Sequence, residues 1–209
     1  MKKESSLESV GEELTEAIDI LKARGLGVIL LGSLDTGKSR IPRDIPRLHD
    51  FSQLGSLNEV LIAAGCKYFW SDCIGAWWLS APYGKPVLMT NEVRLRVRKN
   101  SFPRNHLMIP VRYRNQSGRT LTLREVFSAG SSLYKAASRG EIELVRNTTI
   151  DLVHAHLEMI SRLSGDWTDT DEMKHLQDQF RDLNSEFPDS AEVKIASSFL
   201  SNNRDLLAS

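Results

Sequence analysis

The sequence predicts an α/β fold, a parallel sheet flanked by helices with a helical C-terminal tail, and three observations carry that prediction. In the first half, short apolar runs alternate with segments of helical periodicity, the order found in parallel sheets covered by helices. The stretch from Lys67 to Asn91, KYFWSDCIGAWWLSAPYGKPVLMTN, reads as strand, tight turn, short helix, strand, with small and polar residues in the first turn. From Leu121 onward the spacing is helical.

Taken in order, the first helix is expected from Leu7 to Arg24, because Leu7, Val10, Leu14, Ala17, Ile18 and Leu21 recur at helical spacing and Gly25 is placed to stop it. A strand from Gly27 to Leu31 follows. Pro42 and Pro46 hold an irregular segment up to a short strand expected at Leu48 to Phe51. A helix over Leu57, Val60, Leu61 and Ala64 then ends at Gly65. The strand Lys67 to Trp70, a helix through Trp77 and Trp78, and the strand Pro86 to Met89 complete the alternation, which resembles a Rossmann-like layer. Beyond Asn91 comes a loop-like stretch. Helices are expected near Leu121 to Leu133, Thr148 to Leu163, Asp171 to Leu183 and Ala191 to Leu206, with Thr148 as the cap of the second. On this reading residues 1–165 form the Rossmann-like domain and residues 166–209 a helical extension packed on it. Internal repeats and low-complexity tracts are absent.

The chain of 209 residues suffices for one good core. Its 27 basic and 27 acidic residues cancel, which removes any global electrostatic argument for nucleic acid or an anionic membrane. No apolar run approaches the ~18 residues of a membrane helix. The opening MKKESSLESVGEE turns acidic where a signal peptide would turn hydrophobic, so a cytoplasmic location is expected. Cys66 and Cys73 have neither metal nor redox spacing and are expected to be buried free thiols.

Chemistry is expected first at the turn after Trp70. In a strand–turn–helix unit the turn lies at the carboxyl end of the strand, and the free N–H groups of the following helix point at whatever anion binds there. Gly32 to Ser39 also fits the P-loop expression G-x-x-x-x-G-K-[ST] and follows a strand, which would place Lys38 on a triphosphate. Its context is poor, since Pro42 and Pro46 intervene where the helix should run, and Asp72 is the sole candidate for a magnesium-holding strand end. Asp169-Thr170-Asp171 has the form of a metal-chelating D-x-D pair, but Thr168 and Thr170 ahead of Met173, Leu176 and Phe180 read as ordinary helix capping. His154 and His156 fall on different helix faces and make no metal pair. From Val93 to Arg124 there are nine cations, Arg94, Arg96, Arg98, Lys99, Arg104, Arg112, Arg114, Arg119 and Arg124, and no acid. Two readings stand for them, a solvated stretch with a charge-protected strand edge, or a lining for an anionic ligand such as a nucleotide diphosphate. Nucleic acid fits less well, because only Phe102 and Tyr113 interleave with these charges. Of Trp77 and Trp78, adjacent on a helix, at most one could stack on a ligand, and core packing is the expected role.

The segments GLGVILLG, LHDF, SLNEVLIAAGCKYFWSDCIGAWWLSAPYGKPVLMTN, HLMIPVRYRNQSGRTLTLREV, ELVRNTTIDLVHAHLEMISRL and DEMKHLQDQFRDL with SSFLSNNRDLL, in that order, resemble the C-terminal half of a family of bacterial glycosyltransferases associated with surface glycans. The most specific parts are the Gly75 to Gly84 spacing before Lys85-Pro86-Val87, the Thr90-Asn91 pair and the run from Ile109-Pro110 to Glu125. The resemblance implies a GT-B-type architecture, with two Rossmann-like domains face to face, of which this chain would be the donor-binding C-terminal one. It implies transfer of a sugar from a nucleotide-sugar to a glycan acceptor, with the acceptor domain, or a partner chain supplying it, outside this chain and no catalytic base assignable within it. Gly32 and Ser33, then Ser71, Asp72 and Gly75, then Thr90 and Asn91 would meet at one sheet edge to cradle the diphosphate or orient the sugar. No cofactor and no metal are expected, since cations and helix dipoles can stabilise the leaving diphosphate. Where the family commonly has a Ser-Gly or Asp-Ser-Gly turn, this chain has Asp72-Cys73-Ile74-Gly75, which removes a hydroxyl donor to phosphate. Two alternatives remain: a P-loop-type nucleotide-binding protein using Gly32 to Ser39, and a non-catalytic interaction domain on the same fold.

Overall fold

A computed structural model describes residues 5–31, 44–48, 50–51, 57–72, 76–93, 95, 106–187 and 194–208, with side chains from Leu14 onward. Its centre is a three-stranded parallel sheet formed by β1 (Phe69–Asp72), β2 (Val87–Glu92) and β3 (His106–Pro110), in that spatial order. Phe69 lies opposite Val87, and Met89 lies opposite Met108. Every residue of β2 and β3 is buried, as expected for parallel strands covered on both faces.

Between Met89 and Glu92 the β2–β3 register shifts by one residue, and Asn91 in that irregularity has φ +52°. Asparagine is among the few side chains that tolerate this left-handed conformation. The bulge turns the end of β2 out of the regular ladder, which re-aims its polar residues.

Helix α1 (Ser5–Ala23) ends before Gly25, whose φ is +74°. It packs against the helix over Thr149–Ser164, which in turn crosses β2 and β3. The expected strand Gly27 to Leu31 contracts to a single parallel bridge, Leu30 with Arg47. The expected strand Leu48 to Phe51 is not one: Leu48, Asp50 and Phe51 adopt 3-10 geometry. Helix α2 (Asn58–Gly65) forms as the spacing predicts. The helix through Trp77 and Trp78 is only a 3-10 turn, Ala76–Leu79, followed by a second, Ala81–Tyr83. Pro82 explains the break between them, because it cannot donate its backbone to a continuing helix.

The stretch read as loop beyond Asn91 contains β3 and also β4 (Arg112–Asn115), which pairs antiparallel with β5 (Ile142–Val145). The single helix expected from Leu121 to Leu133 divides into α3 (Leu123–Ala129) and α4 (Ser132–Ser138) at Gly130, φ +51°. Helix α5 (Thr149–Ser164) starts at Thr148, whose side chain accepts from the Asp151 N–H while the Asp151 carboxylate accepts from the Thr148 N–H, a complete capping box. It ends at Gly165, φ +82°, where the two expected portions of the chain were divided.

Helix α6 (Asp171–Ser185) is capped by Thr170. The helix expected from Ala191 begins only at Ser197, as α7 (Ser197–Asn202), with a 3-10 turn at Arg204–Leu207 after it. Residues 194–196 are extended instead, and Ile195 bridges Met108 in parallel, through Met108 N–H to Lys194 O (2.9 Å) and Ala196 N–H to Met108 O (2.9 Å). The C-terminal segment thus adds a short edge to the sheet beside β3. Leu88, Met108 and Leu152 share one continuous core with Phe180 and Phe199 from the C-terminal helices.

Candidate functional site

Because β1, β2 and β3 run parallel, their carboxyl ends present Asp72, the Thr90–Glu92 stretch and Pro110 along one edge. The turn between β5 and α5 brings Arg146 and Asn147 to the same edge. Asp72 is the hub. Its Oδ1 accepts from Thr90 Oγ1 (2.7 Å) and Asn91 Nδ2 (2.6 Å), and its Oδ2 lies 2.5 Å from Arg146 Nη2. Trp70 Nε1 donates to Thr90 Oγ1 (2.9 Å), so that hydroxyl must direct its own proton to Asp72.

Beneath the hub two asparagines clasp each other. Asn91 N–H donates to Asn147 Oδ1 and Asn147 N–H to Asn91 Oδ1, both at 2.6 Å, while Asn147 Nδ2 donates to Pro110 O (2.7 Å). This joins the ends of β2 and β3 to the start of α5. Arg112 completes the frame, with Nη1 on Asp151 Oδ2 and Asn203 Oδ1 (2.9 Å each) and Nη2 on Arg146 O (3.1 Å).

Exposure separates frame from surface. Ser71, Thr90, Asn91 and Asn147 are buried, whereas the side chains of Asp72 and Arg146 are 26% and 32% exposed. Of the residues expected to form the site, Ser71, Asp72, Thr90 and Asn91 come together at this edge. Gly32, Ser33 and Gly75 lie outside the described residues, as do the remainder of the P-loop pattern with Lys38, and Cys73. Arg146 and Asn147 were not expected. Their one signal was position, immediately ahead of a capped helix, and it carried weight only once β5 made that junction the end of a strand.

An apolar cleft of about 540 Å³ runs along the outer side of β1 to this edge. Ile18, Val28, Leu30, Tyr68 and Trp70 line it, and Ser71 and Asp72 lie at one end. Trp77 is buried and Trp78 largely exposed, their rings stacked at 4.1 Å between centroids.

The cation-rich stretch is in part a set of ion pairs. Arg112 pairs with Asp151, Arg114 with Glu143, Arg119 with Glu125 and Arg124 with Glu186. Arg94, Arg96, Arg98, Lys99 and Arg104 lie outside the described residues. Asp169 is held by Arg162 (3.0 Å) and Trp167 Nε1 (2.9 Å), and Thr170 Oγ1 accepts from Met173 N–H, so this D-x-D serves a helix start. Among the described residues no group of three His, Cys, Asp or Glu side chains could hold a metal ion, and no helix is long and apolar enough to cross a membrane. Cys66 is a free thiol, half-buried rather than fully buried, and burial pushes its pKa up.

Below Trp70 lies a neutral pair, His156 fully buried and Tyr68 partly so. Tyr68 Oη and His156 Nδ1 are 2.7 Å apart, and the His156 ring meets Trp70 edge to face at 4.3 Å. Complete burial pulls the His156 pKa down to about 3. An unfolded histidine titrates near 6.5, so between pH 6.5 and 3 the unfolded chain binds a proton that the folded chain refuses. Stability should therefore fall as pH drops through that window, by up to about 1.4 kcal/mol per pH unit, with no contribution above it. Proton NMR of the His156 imidazole checks this; a midpoint near neutrality in the folded chain would contradict it.

The fold and this edge define an α/β chain with a polar carboxyl edge built around an Asp–Arg pair. No family model, no curated protein and no solved structure matches the chain.

Proposed function

We propose that the chain binds a nucleotide-activated sugar at the carboxyl edge of its parallel sheet, as the donor-binding half of a GT-B-type glycosyltransferase serving a surface glycan. The observation that supports this reading is the convergence of Asp72, Thr90, Asn91 and Arg146 at that edge, at the end of the apolar cleft beside β1. Ligands of open α/β sheets bind outside the carboxyl ends of the strands. The cleft offers apolar walls to a nucleoside, and the charged rim offers donors to a diphosphate.

In such a transferase the developing charge is on the leaving diphosphate. Fixed cations and backbone dipoles beside it lower the barrier because they need no reorganisation as charge appears. The group that activates the acceptor comes from the opposite domain, or from a partner chain, in this reading.

A thermal-shift series with UDP, GDP, CDP, ADP and ATP, each with and without magnesium, tests it. One nucleoside diphosphate should raise the melting temperature without metal, by about 2.7 kcal/mol of stabilisation at a hundredfold excess over Kd. Magnesium-dependent stabilisation by ATP alone would favour the P-loop alternative. Stabilisation by none of the five would leave a non-catalytic interaction domain.

A further inference from the structure

We infer that Arg146 is the residue that contacts phosphate at this edge, and that Asp72 positions it without touching the ligand; the assignment rests on the anion-binding part of the reading above. Asp72 has little left to offer a ligand. Its Oδ1 already accepts two hydrogen bonds and its Oδ2 faces the Arg146 guanidinium, and a carboxylate repels a phosphate in any case. What the aspartate supplies is a fixed anchor, itself held by Thr90 and Asn91.

Arg146 is the opposite case. Its guanidinium carries five N–H donors, and among the described residues its side chain makes one hydrogen bond, Nη2 to Asp72. Its Nε is buried without a hydrogen-bond partner, although the side chain as a whole is 32% exposed. A buried N–H of a charged group is costly to leave unpaired, and native proteins satisfy such groups with an acceptor. An oxyanion arriving from the open side meets the exposed part of the guanidinium first, and a small shift of the side chain would bring Nε–H to it. Guanidinium N–H groups match two phosphate oxygens in a way that a lysine ammonium does not.

The backbone under this side chain is held in place. Arg146 O accepts from Arg112 Nη2 (3.1 Å), and the next residue, Asn147, is bonded to Asn91 and Pro110. Arg146 therefore starts from a fixed point and ends against a fixed carboxylate, the pre-organisation that a binding side chain needs. Arg112 pairs with Asp151 and Arg146 with Asp72 at this edge, where a third carboxylate, Glu92, lies buried at the end of β2, so an arriving anion must be met by a guanidinium directly. Replacing Asp72 by asparagine removes one negative charge and can keep its oxygen on Arg146 if its NH2 donates to a rotated Thr90 hydroxyl, at the cost of the Asn91 Nδ2 partner; the loss of charge should favour anions.

The test is calorimetric titration of the full chain with inorganic pyrophosphate at low salt. Wild type should bind it, Arg146→Gln should weaken binding by about tenfold or more, Arg146→Lys should retain part of the affinity, and Asp72→Asn should bind at least as tightly as wild type. Undiminished binding by Arg146→Gln overturns the assignment, as does loss of binding in Asp72→Asn or a wild-type chain that ignores pyrophosphate at about 10 mM. If Arg146→Gln fails to fold, the wild-type Arg146 Nε–H resonance gives the second readout: it should move on addition of pyrophosphate, and a stationary signal sinks the idea. A chain that binds pyrophosphate through Arg146 but no nucleoside diphosphate would refute the donor reading and leave this assignment standing.

Discussion

Glu158→Ala should destabilise the folded chain by about 3–5 kcal/mol, the range for breaking a buried ion pair from one side. Glu158 is fully buried on α5, and its carboxylate is used on both oxygens. Oε1 accepts from Ser197 N–H (3.0 Å) and Arg162 Nε (2.9 Å), and Oε2 accepts from Ser198 N–H (2.8 Å) and Ser198 Oγ (2.7 Å). Helix α7 has Ala196 at its N-cap, with no side chain able to cap, so the cap comes from another helix. The alanine would orphan two amides and leave Arg162, among the described residues, with Asp169, Ser197 and the face of the Trp167 ring. In a chain of this size the loss corresponds to a melting temperature lower by on the order of 10 °C. Glu158→Gln, which keeps an acceptor, should lose less. Urea unfolding of both variants measures the effect; a loss below about 1 kcal/mol for the alanine would show that α7 is not held this way.

Asn147→Ala is the second large effect, and it couples stability to the site. The substitution leaves Asn91 N–H and Pro110 O buried without partners, at about 1–3 kcal/mol each. It also frees the turn that carries Arg146. The variant should therefore lose about 2–6 kcal/mol in urea unfolding and, where it still folds, bind pyrophosphate more weakly than wild type. An alanine variant as stable as wild type would mean that the two asparagines do not tie the strand ends to α5.

Several elements were legible because their causes are local. Thr148 and Thr170 with their following acidic residues announce α5 and α6, and the apolar spacing from Leu14 to Leu21 announces α1. The polar ends of β1 and β2 were legible too, since Asp72 and Thr90-Asn91 follow apolar runs. Other elements were not. His106 to Pro110 is a run of five with apolar character and no alternation, and it follows a cation-rich stretch that reads as loop. Ile142 to Val145 alternates neither in polarity nor in burial, so nothing local marks it as β5. Gly130 stands inside an otherwise continuous helical pattern, and only its φ of +51° divides α3 from α4.

The α/β order, the helices capped by Thr148 and Thr170, and the parallel arrangement of two polar-ended strands are consequences of neighbouring residues and their periodicity. Tertiary structure alone decided that Asp72 meets Arg146, that Asn91 clasps Asn147, that Ile195 joins the sheet beside Met108, and that Glu158 caps a helix it does not belong to. Each of these pairs residues from segments far apart in the chain. Local periodicity records which face of an element is buried; it carries no information about which distant polar group will be waiting there.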